Sequence, residues 1–482
     1  MKSKIFVRHW FWKVLILGFF LTFFLSEILE ESMFIDGIWY AVIARNLAEG
    51  NGSYWFPQFS QTIFSDFHEH PGFVFWLQSY FFKILGDSFW TERIFSGIQY
   101  LFNLILIILI WKKIFPKSKI HFQNYWFVPI LFWQFNILTY LYQPANLLDS
   151  PLSIFCLAAI YFLIDEQQAK GSKWKILLAS FFIVLAVLSK GLVGLFPLGF
   201  YGCFKLAFQN QISIRAVIRK TIYLVIPIAI FFVMIFSLFP PALDSTNIYL
   251  DTQLFASLKG ERRLYYYQSN RLFIVGQLLI VLLPMLITYI GAVVLGQIFD
   301  TQAFGFKEKK VGFFFILIGL SASLPLIISP RQALPYLIPA LPYFSIGIGI
   351  LVIPALKFLL ENFIEKYIWV QRILSVGSIS VLALGVFLIV INFQKSNPRD
   401  AETINDAKLI GAIVGDQQSI SSNTYDMYIS GYLMRYYKVS LDTVNFDKKY
   451  FLTKEPLDSN YLSYQLLSIE TKKYLLYEKI KK

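Results

Sequence analysis

Cysteine, histidine and charged residues are all scarce in this 482-residue chain. It contains two cysteines, Cys156 and Cys203, which both lie in apolar segments, and four histidines. So few thiols and imidazoles exclude a disulfide framework, a cysteine metal cluster and a histidine-rich metal site. Charged residues make up only 15% of the chain, whereas soluble globular proteins carry about 25%. Most of the surface must therefore face something other than water.

Long apolar segments are abundant instead. Hydrophobic residues make up 56% of the chain, and phenylalanine alone occurs 50 times. A transmembrane helix needs about 20 predominantly apolar residues. Segments of this kind lie near residues 12–29, 93–111, 125–141, 150–164, 174–189, 191–208, 221–239, 272–296, 311–329, 333–356 and 373–393. The sequence therefore predicts an all-α polytopic membrane protein with about 11 transmembrane helices.

The basic residues are distributed unevenly between the connecting loops. If the N-terminus is cytoplasmic, most Lys and Arg fall in the loops on the cytoplasmic side, as the positive-inside rule requires. The net charge of +13 is then explained by topology, and no nucleic-acid partner is expected. We expect a multi-pass protein of the bacterial inner (plasma) membrane, surrounded by membrane lipids. The N-terminal segment lacks a small-residue cleavage site, which indicates a retained first helix.

The C-terminal part has a different composition. Eleven spans from a cytoplasmic start place residues 394–482 outside the cytoplasm, and this tail is more polar and contains charges of both signs. It is long enough for a small α/β domain. The predicted organisation is a transmembrane domain, residues 1–393, followed by an extracytoplasmic C-terminal domain, residues 394–482, in which no catalytic motif is evident.

Two outer loops are long, about residues 30–92 and about residues 240–270. In the first, Ile38, Trp39, Val42 and Ile43 have helical spacing, and a second candidate helix runs from residue 71 to about 85. Amphipathic helices of this type lie in the plane of the membrane interface. We therefore expect interfacial helices in the first extracytoplasmic loop.

Acidic residues occupy conspicuous positions on this outer side. Asp36 follows the first span, Glu69 lies in a His-Glu-His-Pro sequence, and Asp149 opens the fourth span. An ionised acid beside hydrocarbon costs several kcal/mol, so such residues tend to be paired or functional. Nearby Asp66 is interpreted as a solvated loop acid.

Basic residues are expected on the same side of the membrane. They are Lys190, Arg262, Arg263 and Arg331. Acids and bases gathered at one face could deprotonate an acceptor and hold a phosphate leaving group.

Five short motifs occur in an order that resembles a known family. They are Asp36 with Tyr40 and Ala44; His68-Glu69-His70-Pro71; Leu148-Asp149-Ser150-Pro151-Leu152; Ser189-Lys190-Gly191; and Arg331 through Tyr336-Leu337-Ile338-Pro339. Their order, spacing and common side are similar to those of the lipid-phosphosugar-dependent glycosyltransferases of the GT-C fold. The protein O-mannosyltransferases and the lipid A aminoarabinose transferase belong to this group, and the resemblance covers roughly residues 10–345.

The resemblance implies a membrane glycosyltransferase with a polyprenyl-phosphate sugar donor, an inverting reaction and a lipid, glycan or protein acceptor. It implies catalytic roles for Asp36, the best general base, and for Glu69 and Asp149. The residues that it implies for the donor phosphate are Lys190, Arg262, Arg263, Arg331, Tyr336 and His70. No cofactor is certain. A divalent metal ion at Glu69 stays open, because some relatives bind metal through a histidine in the second long loop, and this chain has no histidine after His121.

Structural explanations compete with these roles. Asp36 and Asp149 could be helix caps, Glu69 could pair with an adjacent histidine, Lys190 could extend to the interface, and Arg331 could mark a tight loop. Two other functions also stay open. One is a transporter or flippase of lipid-linked sugars, and the other is a polymerase or ligase of O-antigen.

Overall fold

The computed structural model describes residues 10–115, 120–168, 172–209, 211–261, 271–299, 306–458 and 463–480. Its larger part is a bundle of apolar helices. The α-helices of the bundle are Trp10–Phe20, Ser26–Ile28, Thr91–Ile114, Ile120–Gln123, Phe127–Gln134, Ile137–Tyr142, Asp149–Gln168, Lys173–Lys190, Phe200–Ala207, Ile214–Leu238, Phe273–Ile298, Phe306–Ser323, Leu341–Leu359 and Ile368–Asn392. Short 3-10 or π-helical segments extend several of them, namely Leu21–Leu25, Leu192–Gly199, Leu324–Ile328, Leu334–Ala340 and Leu360–Ile364.

Seven helices in the described part of the chain are long and apolar enough to cross a membrane. They are Trp10–Ile28, Thr91–Ile114, Ile214–Leu238, Phe273–Ile298, Glu308–Ile328, Leu334–Ile364 and Ile368–Asn392. The prediction of a polytopic, mostly helical membrane protein is confirmed.

The other four predicted segments are also helical, but they are shorter, interrupted or more charged. They correspond to the apolar runs near residues 125–141, 150–164, 174–189 and 191–208. Their inward side chains, such as Ile160, Leu163 and Ile183, are fully buried among neighbouring helices. A helix that is surrounded by protein need not be apolar over its whole surface, because its polar groups find partners inside the bundle. Glu166 is an example, since it pairs with Lys220 at 3.0 Å.

The predicted outer loops contain short helices. The first loop contains Ile35–Ala48, which we call the surface helix, and Phe73–Leu85. Helix Phe73–Leu85 exposes Trp76, Tyr80 and Ile84, as an interfacial helix should. The second loop contains α-helices Pro240–Tyr249 and Ala256–Lys259, joined by the π-helical segment Leu250–Phe255.

The C-terminal domain is a small α/β unit, as the sequence predicts. Strands β1 to β5 are Ser419–Ser422, Ser440–Asp442, Tyr450–Thr453, Tyr464–Leu466 and Leu475–Lys479, and the helices are Ala401–Val414 and Met427–Tyr437. The strand order is β2-β1-β3-β5-β4. Strand β1 is parallel to β2 and β3, whereas β5 is antiparallel to β3 and β4. Helix Met427–Tyr437 forms the crossover from β1 to β2, whereas residues 443–449 join β2 to β3 without a helix.

The C-terminal domain packs directly on the surface helix. The guanidinium of Arg45 donates hydrogen bonds to the carbonyls of Met434 and Arg435 at 2.9 and 3.0 Å. Arg435 in turn pairs with Asp87 at 2.5 Å and with Glu92 at 2.8 Å. The surface helix is consequently buried on nearly all sides, more completely than its amphipathic pattern predicts, because a second domain covers the face that would otherwise be exposed.

Candidate active site

Asp36 lies in the first turn of the surface helix, and the helix does not use it as a cap. The helix begins at Ile35 after an extended Phe34, and no side chain caps its N-terminus. The capping explanation for Asp36 is therefore wrong, because the preceding backbone places this residue inside the helix rather than ahead of it. Within the described part of the chain the Asp36 carboxylate has no hydrogen-bond partner.

Close backbone contact fixes the surface helix against the segment that leads to Asp149. A Cβ on Gly37 would overlap the carbonyl of Ala145, so only glycine permits this approach. The side chain of Asn146 donates a hydrogen bond to the carbonyl of Gly37 at 2.9 Å. Asp36 and Asp149, which are far apart in the sequence, are brought to the same end of the bundle by these contacts.

Asp149 and Lys190 form a buried ion pair. Asp149 begins helix Asp149–Gln168 and is 2% exposed, while Lys190 ends helix Lys173–Lys190 and points its Nζ at the Asp149 carboxylate. Removal of one partner from a buried pair leaves an uncompensated charge and typically costs about 3–5 kcal/mol. Lys190 is therefore held by a protein partner and does not extend into the interface.

Tyr336 lies under the Lys190 ammonium. The Lys190 Nζ is 4.9 Å from the centroid of the Tyr336 ring, within cation–π range. The ring comes from the 3-10 segment Leu334–Ala340, where Pro335 stands in the first turn. This segment follows Arg331 directly, so one short stretch of chain brings both residues to the site.

Arg331 is incompletely paired in the part of the chain that the structure describes. Its Nη1 is 3.5 Å from the side-chain oxygen of Gln253, and its Nε is buried without a hydrogen-bond partner. A buried N–H group without an acceptor is costly. The guanidinium therefore retains donors for an anion.

Gly191 allows the second outer loop to approach the end of the Lys190 helix. Its φ is +81°, and a Cβ at this position would overlap the hydroxyl of Tyr249. Both the backbone conformation and the space thus require glycine. The sequence analysis did not identify Tyr249 as a site residue. The glycine that directly follows Lys190 is the signal in the sequence that another segment packs closely at this position.

Glu69 and His70 lie beside the same group. The His70 ring meets the Tyr40 ring edge-on at 5.9 Å, and both Glu69 and His70 are half-buried. Among the described residues no group of three or more His, Cys, Asp or Glu side chains could hold a metal ion. The donor set around Glu69 therefore does not fit a bound metal, and we assign no step to one. Asp66 is exposed, as expected for a solvated loop acid.

The charges of the site act on Asp36. Burial raises the pKa of Asp36 from 3.8 to about 6; Lys190 and Arg331 oppose this rise, and Glu69 and Asp149 add to it. These four residues are consequently within electrostatic range of the Asp36 carboxylate. The sequence predicts that they lie on one side of the membrane, and the fold brings them together around one carboxylate.

An apolar cavity of about 290 Å³ adjoins this charged group. It opens between the first outer loop and helices Ile214–Leu238 and Pro240–Tyr249. Its lining includes His70, Gly191, Ile228, Phe232 and Tyr249. A long apolar ligand with a charged end would place its chain here and its charge beside Lys190. Arg262 and Arg263 lie outside the described residues.

Comparisons with known proteins identify the fold. Residues 69–239, roughly a third of the chain, match the family of dolichyl-phosphate-mannose-protein mannosyltransferases. ArnT from Cupriavidus metallidurans bound to undecaprenyl phosphate aligns with a TM-score of 0.63 and 13% identity over 97% of each chain. The chain has the GT-C fold. ArnT in the apo state aligns with a TM-score of 0.60 and 13% identity, over 94% of this chain and 95% of that chain.

A more distant structure has the same GT-C fold. The oligosaccharyltransferase of Archaeoglobus fulgidus in its apo form aligns with a TM-score of 0.53 and 10% identity, over 92% of this chain and 65% of that one. No curated protein matches the chain by sequence. At these identities the solved structures establish the GT-C fold and leave the reaction to be argued from the site.

Proposed function

We propose that this protein is a membrane glycosyltransferase that moves a sugar from a polyprenyl-phosphate donor to an extracytoplasmic acceptor. One observation carries the proposal. A half-buried carboxylate, Asp36, lies within electrostatic range of two cations, Lys190 and Arg331, next to a cavity suited to an apolar chain. An acid, two cations and an apolar cavity are what a lipid phosphosugar and its acceptor require.

The donor would bind with its lipid in the cavity and its phosphate at the cations. Apolar side chains such as Ile228 and Phe232 line the cavity, which suits an isoprenoid chain. Lys190 and the unpaired donors of Arg331 would contact the phosphate, and Tyr336 would add its hydroxyl. ArnT, whose fold this chain has, binds undecaprenyl phosphate, which agrees with this arrangement.

The transfer step follows from these positions. Asp36 accepts the proton of an acceptor hydroxyl or amine while the acceptor atom forms its bond to the anomeric carbon. The bond from that carbon to the phosphate oxygen breaks, and its electron pair leaves with the polyprenyl phosphate. Attack opposite the leaving group inverts the configuration. Lys190 and Arg331 stabilise the developing phosphate charge, so orientation and electrostatics supply most of the rate.

Asp149 and Glu69 would act around this step. Because Asp149 is buried against Lys190, its proposed role is to hold that ammonium in position for the phosphate. Glu69 would raise the basicity of Asp36 through its charge. We further propose that the site opens to the outer side of a bacterial inner membrane, with the N-terminus in the cytoplasm.

The deciding experiment compares Asp36→Asn with Asp66→Asn in purified protein supplied with labelled polyprenyl-phosphate sugars. Loss of a general base typically costs about 10²- to 10⁴-fold in rate. We expect that loss for Asp36→Asn, and none for Asp66→Asn, which removes an exposed acid of the same loop. Unchanged transfer by Asp36→Asn would remove Asp36 from the base role. Movement of the lipid-linked sugar across the membrane without transfer would show a flippase.

A further inference from the structure

The C-terminal domain reaches the candidate active site through one loop. Residues 423–426 connect β1 to helix Met427–Tyr437. The indole of Trp39, on the surface helix one turn after Asp36, donates a hydrogen bond to the Met427 carbonyl at 3.0 Å. Gly431 also packs so closely that a Cβ there would lie 3.1 Å from the same indole nitrogen. The start of the C-terminal helix is thus fixed beside the catalytic turn.

This loop presents an exposed aromatic side chain. Tyr425 is 54% exposed, although it lies near the joint between two domains. Glu69 is among the charges that act on its hydroxyl, and Asp36 is among those that act on Tyr428, three positions after Tyr425. Tyr425 therefore lies within electrostatic range of Glu69, on a loop whose following helix is fixed to the surface helix by the Trp39–Met427 hydrogen bond.

A second exposed aromatic residue contacts Trp39. Phe64 is 37% exposed, and its ring meets the Trp39 ring edge-on at 5.7 Å. Its φ is +48°, a conformation that is unfavourable for a bulky residue and that persists where the surroundings impose it, often at functional sites. Here the hydrogen bond between the Phe59 N–H and the Phe64 carbonyl, 3.1 Å long, closes the turn.

The two aromatic residues do not belong to the lipid cavity. Neither Phe64 nor Tyr425 lines it. They lie instead where the first outer loop meets the C-terminal domain, since Thr62, close to Phe64 in the sequence, donates a hydrogen bond to the Leu441 carbonyl at 2.7 Å. Aromatic rings offer an apolar face together with, in tyrosine, a hydrogen-bonding hydroxyl. A sugar ring has the complementary surface, with C–H groups on one face and hydroxyls at its edge.

We propose that Phe64 and Tyr425 form an acceptor-binding surface that recognises a sugar ring, so that the acceptor is a glycan or a glycolipid headgroup. This inference rests on the proposed glycosyltransferase function. Tyr425 would stack on the acceptor sugar and Phe64 would close the opposite side. The adjacent carboxylates would accept hydrogen bonds from its hydroxyls, and Asp36 would take the proton of the reacting one.

The test uses purified full-length protein, labelled polyprenyl-phosphate sugars and three acceptor probes: octyl glucoside, octanol and a serine/threonine-rich peptide. We expect transfer to the glucoside with a clear preference over octanol and the peptide. Loss of one aromatic contact is worth up to about tenfold. Tyr425→Ala should therefore raise the KM for octyl glucoside by about that factor and leave the KM for the donor unchanged. Tyr425→Phe, which keeps the ring, should restore most of the preference.

Leu466→Ala is the matched control, because Leu466 is 49% exposed and lies on β4 at the far edge of the same sheet. It should behave like the wild type. Transfer to the peptide in preference to the glucoside, or an unchanged acceptor KM in Tyr425→Ala, would overturn the acceptor inference while the transferase function stands. Absence of transfer and of donor hydrolysis with every probe would overturn the transferase function itself.

Discussion

The pH dependence of transfer should report the protonation of Asp36. Burial raises the pKa of Asp36 to about 6, so the carboxylate is the base above that pH and is protonated below it. With this pKa, roughly one molecule in ten has an ionised Asp36 at pH 5, and kcat/KM should fall about tenfold for each further pH unit. With the ordinary pKa of 3.8, the rate at pH 5 would be nearly undiminished.

The neighbouring charges predict the direction in which the pKa of Asp36 should shift in each variant. Lys190 lowers the pKa of Asp36, whereas Glu69 raises it. Glu69→Gln should therefore shift the acidic limb of the profile to lower pH, and Lys190→Met should shift it to higher pH while also weakening donor binding. The measurement is kcat/KM between pH 4.5 and 8 with labelled donor, at an ionic strength held constant because exposed charges are screened by salt.

A second titrating residue provides the control. Burial raises the pKa of Glu30 to about 7, and Glu27 adds to the rise, but Glu30 is not among the charges that act on Asp36. Glu30→Gln should leave the acidic limb in place. A profile that stays flat down to pH 4.5, or shifts of the same sign in Glu69→Gln and Lys190→Met, would refute the assignment of Asp36 as the titrating base.

Three further substitutions have defined outcomes. Gly191→Ala places a Cβ against Tyr249 at a positive φ, where a non-glycine residue costs about 1–2 kcal/mol. We expect this variant to have a lower melting temperature and weaker donor binding. An unchanged melting temperature and unchanged donor binding would contradict the close packing of Gly191 on Tyr249. Arg435→Ala removes one of the two arginines that pair with the buried Glu92, and Arg93 remains as the other. The contact between the C-terminal domain and the outer loop is weakened, and limited proteolysis should then release the C-terminal domain sooner. Arg331→Lys keeps the positive charge but loses the forked N–H groups of the guanidinium. The KM for the polyprenyl-phosphate sugar should therefore rise. A KM equal to that of the wild type would exclude Arg331 from the phosphate site.

The sequence alone determined the class of the protein and most of its helices. Apolar length is a local property, and each of the eleven apolar segments falls on helix. Scarce charge and one-sided basic residues required a membrane, and the polar tail predicted the small α/β domain. The sequence also indicated the positions proposed for the site, because Asp36, Glu69, Asp149, Lys190 and Arg331 are costly residues beside hydrocarbon.

The tertiary structure alone decided how these residues combine. The partnership of Asp149 with Lys190, the contact of Tyr249 with Gly191, and the approach of Tyr425 join segments that are 40 or more residues apart. Periodicity and composition describe neighbours along the chain, whereas these contacts depend on which helices pack together. The elevated pKa of Asp36 is of the same kind. Burial and the charges of Glu69 and Asp149 raise it, Lys190 and Arg331 oppose the rise, and only the folded chain places these groups around Asp36.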